Sequence, residues 1–145
     1  MSDYIIPEIW KNPSSMGGAW GGLNQPTAGA RFEQTLPKGD QPFQLYTLPT
    51  PNGIKATIML EELKELGVTQ AGYDAYRIKI GDGDQFGSDF VSINPNSKIP
   101  ALMDYSDEQP VRVFESANIL LYLAEKFGLT AKDIVERVKP CAQRS

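Results

Sequence analysis

Two segments of the chain combine groups that could grip a small polar molecule. Residues 94–102, Asn-Pro-Asn-Ser-Lys-Ile-Pro-Ala-Leu, offer a backbone edge beside Pro100, and residues 115–123 open with Glu115 and Ser116 ahead of Ile119, Leu120 and Leu123. A backbone edge can take up a second peptide as an added strand. A helix that begins with an acid and a hydroxyl presents free N–H groups to a carboxylate and a negative charge to an ammonium. Together they suit a small peptide with a free amine and a free carboxylate at one end. A third segment, Thr50-Pro51-Asn52, sets a hydroxyl and a side-chain amide between two patterned stretches. Both can donate hydrogen bonds to an anion, although an ordinary turn and helix cap uses the same residue types.

Composition removes several chemistries. The 145 residues include no histidine, which excludes a Ser-His-Asp triad, a Cys-His dyad and the common histidine metal sites. No metal is expected. The one cysteine, Cys141, has no partner for an internal disulfide and lies in a polar tail beside Pro140 with no activating neighbour. A formal net charge of -4 with interspersed charges leaves no basic stripe for nucleic acid. No apolar run approaches the roughly 20 residues that cross a bilayer, and the N-terminus lacks a basic-then-apolar leader. A cytoplasmic protein without membrane contact is the expectation.

The elements that must position these groups are legible as patterns. Residues 1–42 are punctuated by glycine and proline too densely for long helices, yet Trp10, Trp20, Leu23 and Phe32 are interleaved, so an irregular extension draped over a folded body is expected. Residues 43–48 alternate as a strand. Pro49, Pro51 and Gly53 then break the pattern, and a helix is predicted over residues 54–66, with Ile58, Leu60, Leu63 and Leu66 on its buried side and Gly67 as its stop. Residues 73–80 read as a second strand with Tyr76, Ile78 and Ile80 on one face, and residues 85–91 as a short helical turn. Strands at 101–103 and 111–114 flank a polar hairpin connection. A helix over residues 116–127, capped by Ser116, stops at Gly128. A further turn or two is expected over residues 131–138. Tyr46 and Tyr122 are assigned to the packed body.

From about Trp20 to Gly128 the chain resembles the N-terminal domain of a glutathione transferase, closest to the nu-class type also described as disulfide-bond oxidoreductases. The resemblance is carried by Thr50-Pro51-Asn52-Gly53, Ile80-Gly81-Asp82-Gly83-Asp84-Gln85-Phe86, Ile99-Pro100 and Glu115-Ser116 in that order. It implies an α/β (α+β) fold, thioredoxin-like βαβ-ββα, with a mixed four-stranded sheet. It also implies residues 1–42 as an N-terminal extension, 43–128 as the glutathione-binding domain and 129–145 as the truncated start of a helical C-terminal region.

The same resemblance implies roles. Pro100 follows a cis bond and turns the Ile99 backbone toward the cysteinyl part of glutathione. Glu115 pairs with the γ-glutamyl ammonium, and Ser116 marks the helix start that receives its carboxylate. Lys98 adds positive potential. Gln85 contacts the glycyl or γ-glutamyl end, although a surface glutamine needs no such purpose. Asn24, in the extension, reaches a second glutathione. Redox proteins of this fold place a Cys-x-x-Cys where this chain has Thr50-Pro51-Asn52, so the sulfur must come from glutathione, with Thr50 and Asn52 as catalytic donors to its thiolate.

The implied activity is a glutathione-dependent thiol-disulfide oxidoreductase or transferase acting on a small disulfide or electrophile. Glutathione, reduced or oxidised, takes the place of a cofactor. Relatives continue into a helical second domain that contributes to the second-substrate pocket and to a dimer contact. A homodimer is thus one option. Exposed apolar faces are expected on the two long helices. The alternative function is a non-catalytic module that binds glutathione or a protein partner.

Overall fold

The computed structural model describes Glu8 and residues 29–129. Asn24, Cys141, the aromatic residues Trp10 and Trp20, and residues 131–138 lie outside the described residues. Seven longer elements follow in order: β1 Phe43–Thr47, α1 Pro51–Glu65, β2 Tyr73–Arg77, α2 Ser88–Ile93, β3 Ala101–Asp104, β4 Val111–Phe114 and α3 Ser116–Lys126. The sheet runs β2-β1-β3-β4, with β1 parallel to β2 and antiparallel to β3, and β3 antiparallel to β4. This is the expected thioredoxin-like βαβ-ββα arrangement with a mixed four-stranded sheet.

Alternation along β1 builds a core on each face of the sheet. Phe43 and Leu45 point into one cluster with Leu60 and Leu63 of α1, Leu102 and Val113 of the sheet, and Ile119 and Leu123 of α3. Tyr46 points the other way, against Ile78, Phe90 and Ile93, with Tyr76 and Ile80 packed alongside. The one-face grouping of Tyr76, Ile78 and Ile80 therefore holds, although β2 ends at Arg77. Both tyrosines are part of the packed body: Tyr46 donates to the Pro37 carbonyl at 2.9 Å, and Tyr122 to Asp104 Oδ2 at 2.6 Å.

Several boundaries differ from expectation, each for a local reason. Helix α1 begins at Pro51, not at residue 54, because proline at the first helical position has no N–H to strand and a φ suited to the helix. The buried stripe is Gly53, Ala56, Leu60 and Leu63, spaced as one helical face; Ile58 and Leu66 fall off that face and are exposed, at 55 % and 39 %. The helical turn expected over 85–91 divides into a 3₁₀ turn Asp84–Phe86 and α2, separated by Gly87 in an extended conformation. Ile54 and Leu121 also face outward. No helix among the described residues is long and apolar enough to cross a membrane.

A buried ionic latch ties the far end of α3 to the β3–β4 connection. Asp104, 1 % exposed, accepts from the Ser106 N–H at 2.8 Å and the Tyr122 hydroxyl at 2.6 Å, and pairs with Lys126 Nζ at 2.9 Å. Burial is the largest single influence and works to raise the Asp104 pKa, but the hydrogen bonds from Ser106, Tyr122 and Lys126 together hold it below the ordinary carboxyl value. Burial and the bond to Asp104 push Tyr122 up to about 12.

Two stability predictions result. Leu60→Ala loses about 2–5 kcal/mol in urea denaturation, whereas Ile58→Ala stays within about 0.5 kcal/mol. Since the Asp104 pKa is depressed by folding, its stabilisation is present above the unfolded value of about 4 and fades as pH falls through the folded one. Asp104→Asn is accordingly less stable at neutral pH by about 1–3 kcal/mol and shows a flatter acid limb than wild type; denaturation midpoints from neutral pH down to acid test both expectations.

Candidate functional site

Strand register gathers the chemistry-bearing segments at one end of the sheet. Tyr46 pairs with Ala101 and Ala101 with Phe114. Beyond these pairs β1 continues to Thr47, Pro100 precedes β3 and Glu115 follows β4, all at the same end of the sheet. Because β1 and β2 are parallel, β2 also leaves at this end, toward the loop that carries Gln85. Helices α1 and α3 both start here, and their N-termini set positive partial charge at this end of the sheet. Thr50, Asn52, Ile99, Pro100, Glu115 and Ser116 thus share one end of the fold. Gly53 lets the first turn of α1 sit close to β1, since a Cβ there would collide with the Leu48 carbonyl.

Thr50 is the N-cap of α1: its Oγ1 accepts from the Gly53 N–H at 3.2 Å. A hydroxyl has two acceptor sites and one proton. The cap occupies an acceptor site, and the proton is left to donate elsewhere. Asn52 is exposed and its Oδ1 accepts from Lys55 Nζ at 3.0 Å, which leaves the amide N–H groups as donors.

The Ile99–Pro100 bond is cis, as expected. The Ile99 side chain packs against the second core cluster, while among the described residues neither its N–H nor its C=O makes a backbone hydrogen bond. The preceding loop is held by Asn94, which is fully buried: its Nδ2 donates to the Lys98 carbonyl at 2.6 Å, and its Oδ1 accepts from the Asn96 N–H at 3.0 Å. Ser97, 6 % exposed, takes a left-handed φ of 52° inside this loop. Lys98 is exposed.

At α3 the cap position is Glu115, not Ser116, which is the first helical residue. Glu115 has φ 68° and makes no side-chain capping bond. A non-glycine residue held at positive φ costs on the order of 1 kcal/mol or more. Its exposed carboxylate is free of capping duty and stands beside the Ile99 edge.

Gln85 is not a surface residue. It is 3 % exposed, its Nε2 donates to the Ile80 carbonyl at 3.4 Å, and its Oε1 is buried without a partner among the described residues. The reason is the segment ahead of β1. The Arg31 N–H bonds the Phe86 carbonyl at 2.8 Å, the Ser88 N–H bonds Phe32 at 2.9 Å, and the Arg31 guanidinium lies 3.4 Å over the Phe86 ring. Gln34 exchanges two hydrogen bonds with Ser88 Oγ, at 2.9 and 3.2 Å. This part of the chain ahead of β1 is therefore packed on the body through main-chain and polar contacts, while the Phe32 side chain is 44 % exposed. Asn94 and Gln34 were missed from sequence. Asn94-Pro95 signals a turn, but nothing local shows that the asparagine would be buried.

Comparison with known proteins agrees with this geometry. The glutathione S-transferase N-terminal domain family matches residues 51–126. The disulfide-bond oxidoreductase YghU of Escherichia coli is 58 % identical over 137 residues, 94 % of this chain and 48 % of the relative. The crystal structure of glutathione transferase YghU from Streptococcus pneumoniae, complexed with glutathione, superposes with a TM-score of 0.83 at 65 % identity, covering 93 % of this chain and 52 % of that one. A glutathione transferase from Pseudomonas putida, with one glutathione disulfide bound per subunit, gives a TM-score of 0.54 at 44 % identity, over 61 % of this chain and 36 % of that one. The chain spans about half the length of the E. coli and S. pneumoniae relatives. With the sheet order and these matches in agreement, the chain belongs to the glutathione S-transferase family and carries that family's N-terminal domain.

Proposed function

We propose that the cleft between α1, the Ile99 edge and α3 binds glutathione, and that the chain uses the thiol of bound glutathione to reduce small disulfides. The observation that carries this reading is the Ile99 backbone, whose N–H and C=O are left without backbone partners next to a helix N-terminus. A tripeptide laid along that edge pairs with both groups as an added strand. Its γ-glutamyl carboxylate meets the first N–H groups of α3 near Ser116, and its ammonium meets Glu115. Gln85, buried in the turn after β2, is assigned to the glycyl or γ-glutamyl end of the ligand. Lys98 contributes positive potential, and Asn24 is assigned to a second glutathione. The glutathione-binding unit is taken as residues 43–128.

Residues 29–129 contain no cysteine, so the attacking sulfur belongs to the ligand. Placed at the start of α1, the thiolate accepts from the Thr50 hydroxyl and the Asn52 amide, and each pKa unit of depression corresponds to about 1.4 kcal/mol in favour of the anion. The thiolate attacks one sulfur of the substrate disulfide and expels the other as a thiolate, which takes up a proton. A second glutathione thiolate then attacks the mixed disulfide, giving oxidised glutathione and the second reduced thiol. The names of the E. coli and S. pneumoniae relatives, and the glutathione disulfide held by the P. putida relative, support this chemistry.

Turnover of hydroxyethyl disulfide by reduced glutathione tests the reading. Thr50→Ser retains activity, whereas Thr50→Asp, which caps α1 but offers no neutral proton, loses about 10²-fold or more at unchanged stability. Equal rates for the two variants remove Thr50 as a thiolate donor, and calorimetric binding of glutathione without turnover favours a binding module. Glu115→Gly relieves the positive φ and raises stability by up to about 1 kcal/mol while weakening glutathione binding; binding unchanged by this substitution excludes the ammonium contact.

A further inference from the structure

We infer that Asn94 is a positioning residue for ligand binding, which aims the Ile99 N–H into the cleft through the Lys98–Ile99 peptide plane without touching the ligand. The inference rests on the reading of Ile99 as the glutathione edge. A trans peptide is planar, and its C=O and N–H point in opposite directions. The only cis bond among the described residues is Ile99–Pro100, so the Lys98–Ile99 bond is trans. Asn94 Nδ2 donates to the Lys98 carbonyl at 2.6 Å from a fully buried side chain. Drawing that oxygen inward turns the Ile99 N–H outward, where it has no backbone partner among the described residues.

Asn94 is itself fixed on three sides. Its backbone N–H closes α2 onto Phe90 at 2.8 Å, its carbonyl accepts from the Ser97 N–H at 2.9 Å, and its Oδ1 accepts from the Asn96 N–H at 3.0 Å. The 2.9 Å bond requires the loop to fold back within three residues, and Ser97 accommodates this with a φ of 52°. Every side-chain hydrogen bond recorded for Asn94 is thus directed at the loop that orients residue 99. Chemically the arrangement needs an amide at position 94: a carboxylate keeps the bond to Asn96 but has no proton for Lys98 and repels its carbonyl oxygen.

The test is calorimetric titration of the full chain with reduced glutathione, together with hydrogen exchange at the Ile99 amide. Asn94→Asp weakens binding about tenfold, the equivalent of one lost hydrogen bond. Asn96→Ala, whose side chain takes no part, leaves affinity unchanged. In disulfide reduction the loss appears in the glutathione KM and not in kcat, as expected for misplaced binding. A folded Asn94→Asp variant with wild-type affinity overturns the inference and leaves the glutathione reading standing. Wild type that shows no binding overturns both. If the variants do not fold, the wild type decides: the Asn94 side-chain amide exchanges slowly in the free protein, and the Ile99 amide becomes protected only when glutathione is added. Fast exchange at Asn94, or no added protection at Ile99, overturns the proposal.

Discussion

Register across three strands decides where the chemistry of this chain sits. With Tyr46 opposite Ala101 and Ala101 opposite Phe114, the segments that carry Thr50, Ile99 and Glu115 all leave the sheet at one end. A slip of one residue would send Leu102 of the first cluster and Ala101 of the second to opposite faces. The buried faces therefore hold the site in place. Residues far apart in sequence meet because neighbouring strands must bury the correct side chains.

The cleft is built from backbone groups and from positions under strain. Ile99 presents main-chain atoms, the two helices present free N–H groups, and Thr50 both caps α1 and keeps a proton available. Ser97 and Glu115 adopt positive φ without being glycine, and Gln85 keeps a buried oxygen without a partner among the described residues. Each is locally unfavourable by about 1–3 kcal/mol. The far end of α3, by contrast, is held by the Asp104–Tyr122–Lys126 network.

Element types were legible because their signals are local. Alternation marked the strands, the Leu60 and Leu63 spacing marked α1, and Gly67 and Gly128 marked helix ends. Boundaries were less legible. Pro51 breaks a helix at most positions and begins one here. Ile58, expected in the core, lies off the face that carries Leu60 and Leu63 and is 55 % exposed. Glu115 took the cap position expected for Ser116 because the strand–helix corner demands a left-handed residue before the helix starts.

The sequence by itself set limits on the chemistry: it has no histidine, and its one cysteine, Cys141, lies outside residues 43–128. It also marked Ile99-Pro100 and Glu115-Ser116, since proline and an acid–hydroxyl pair declare themselves by type. Only the tertiary structure decided that Gln85 is buried, that Asn94 orients the Ile99 peptide, and that residues 31–36 pack over the Gln85 turn. Burial and the direction of a peptide plane depend on contacts between residues distant in the chain, and no local pattern of residue types encodes them.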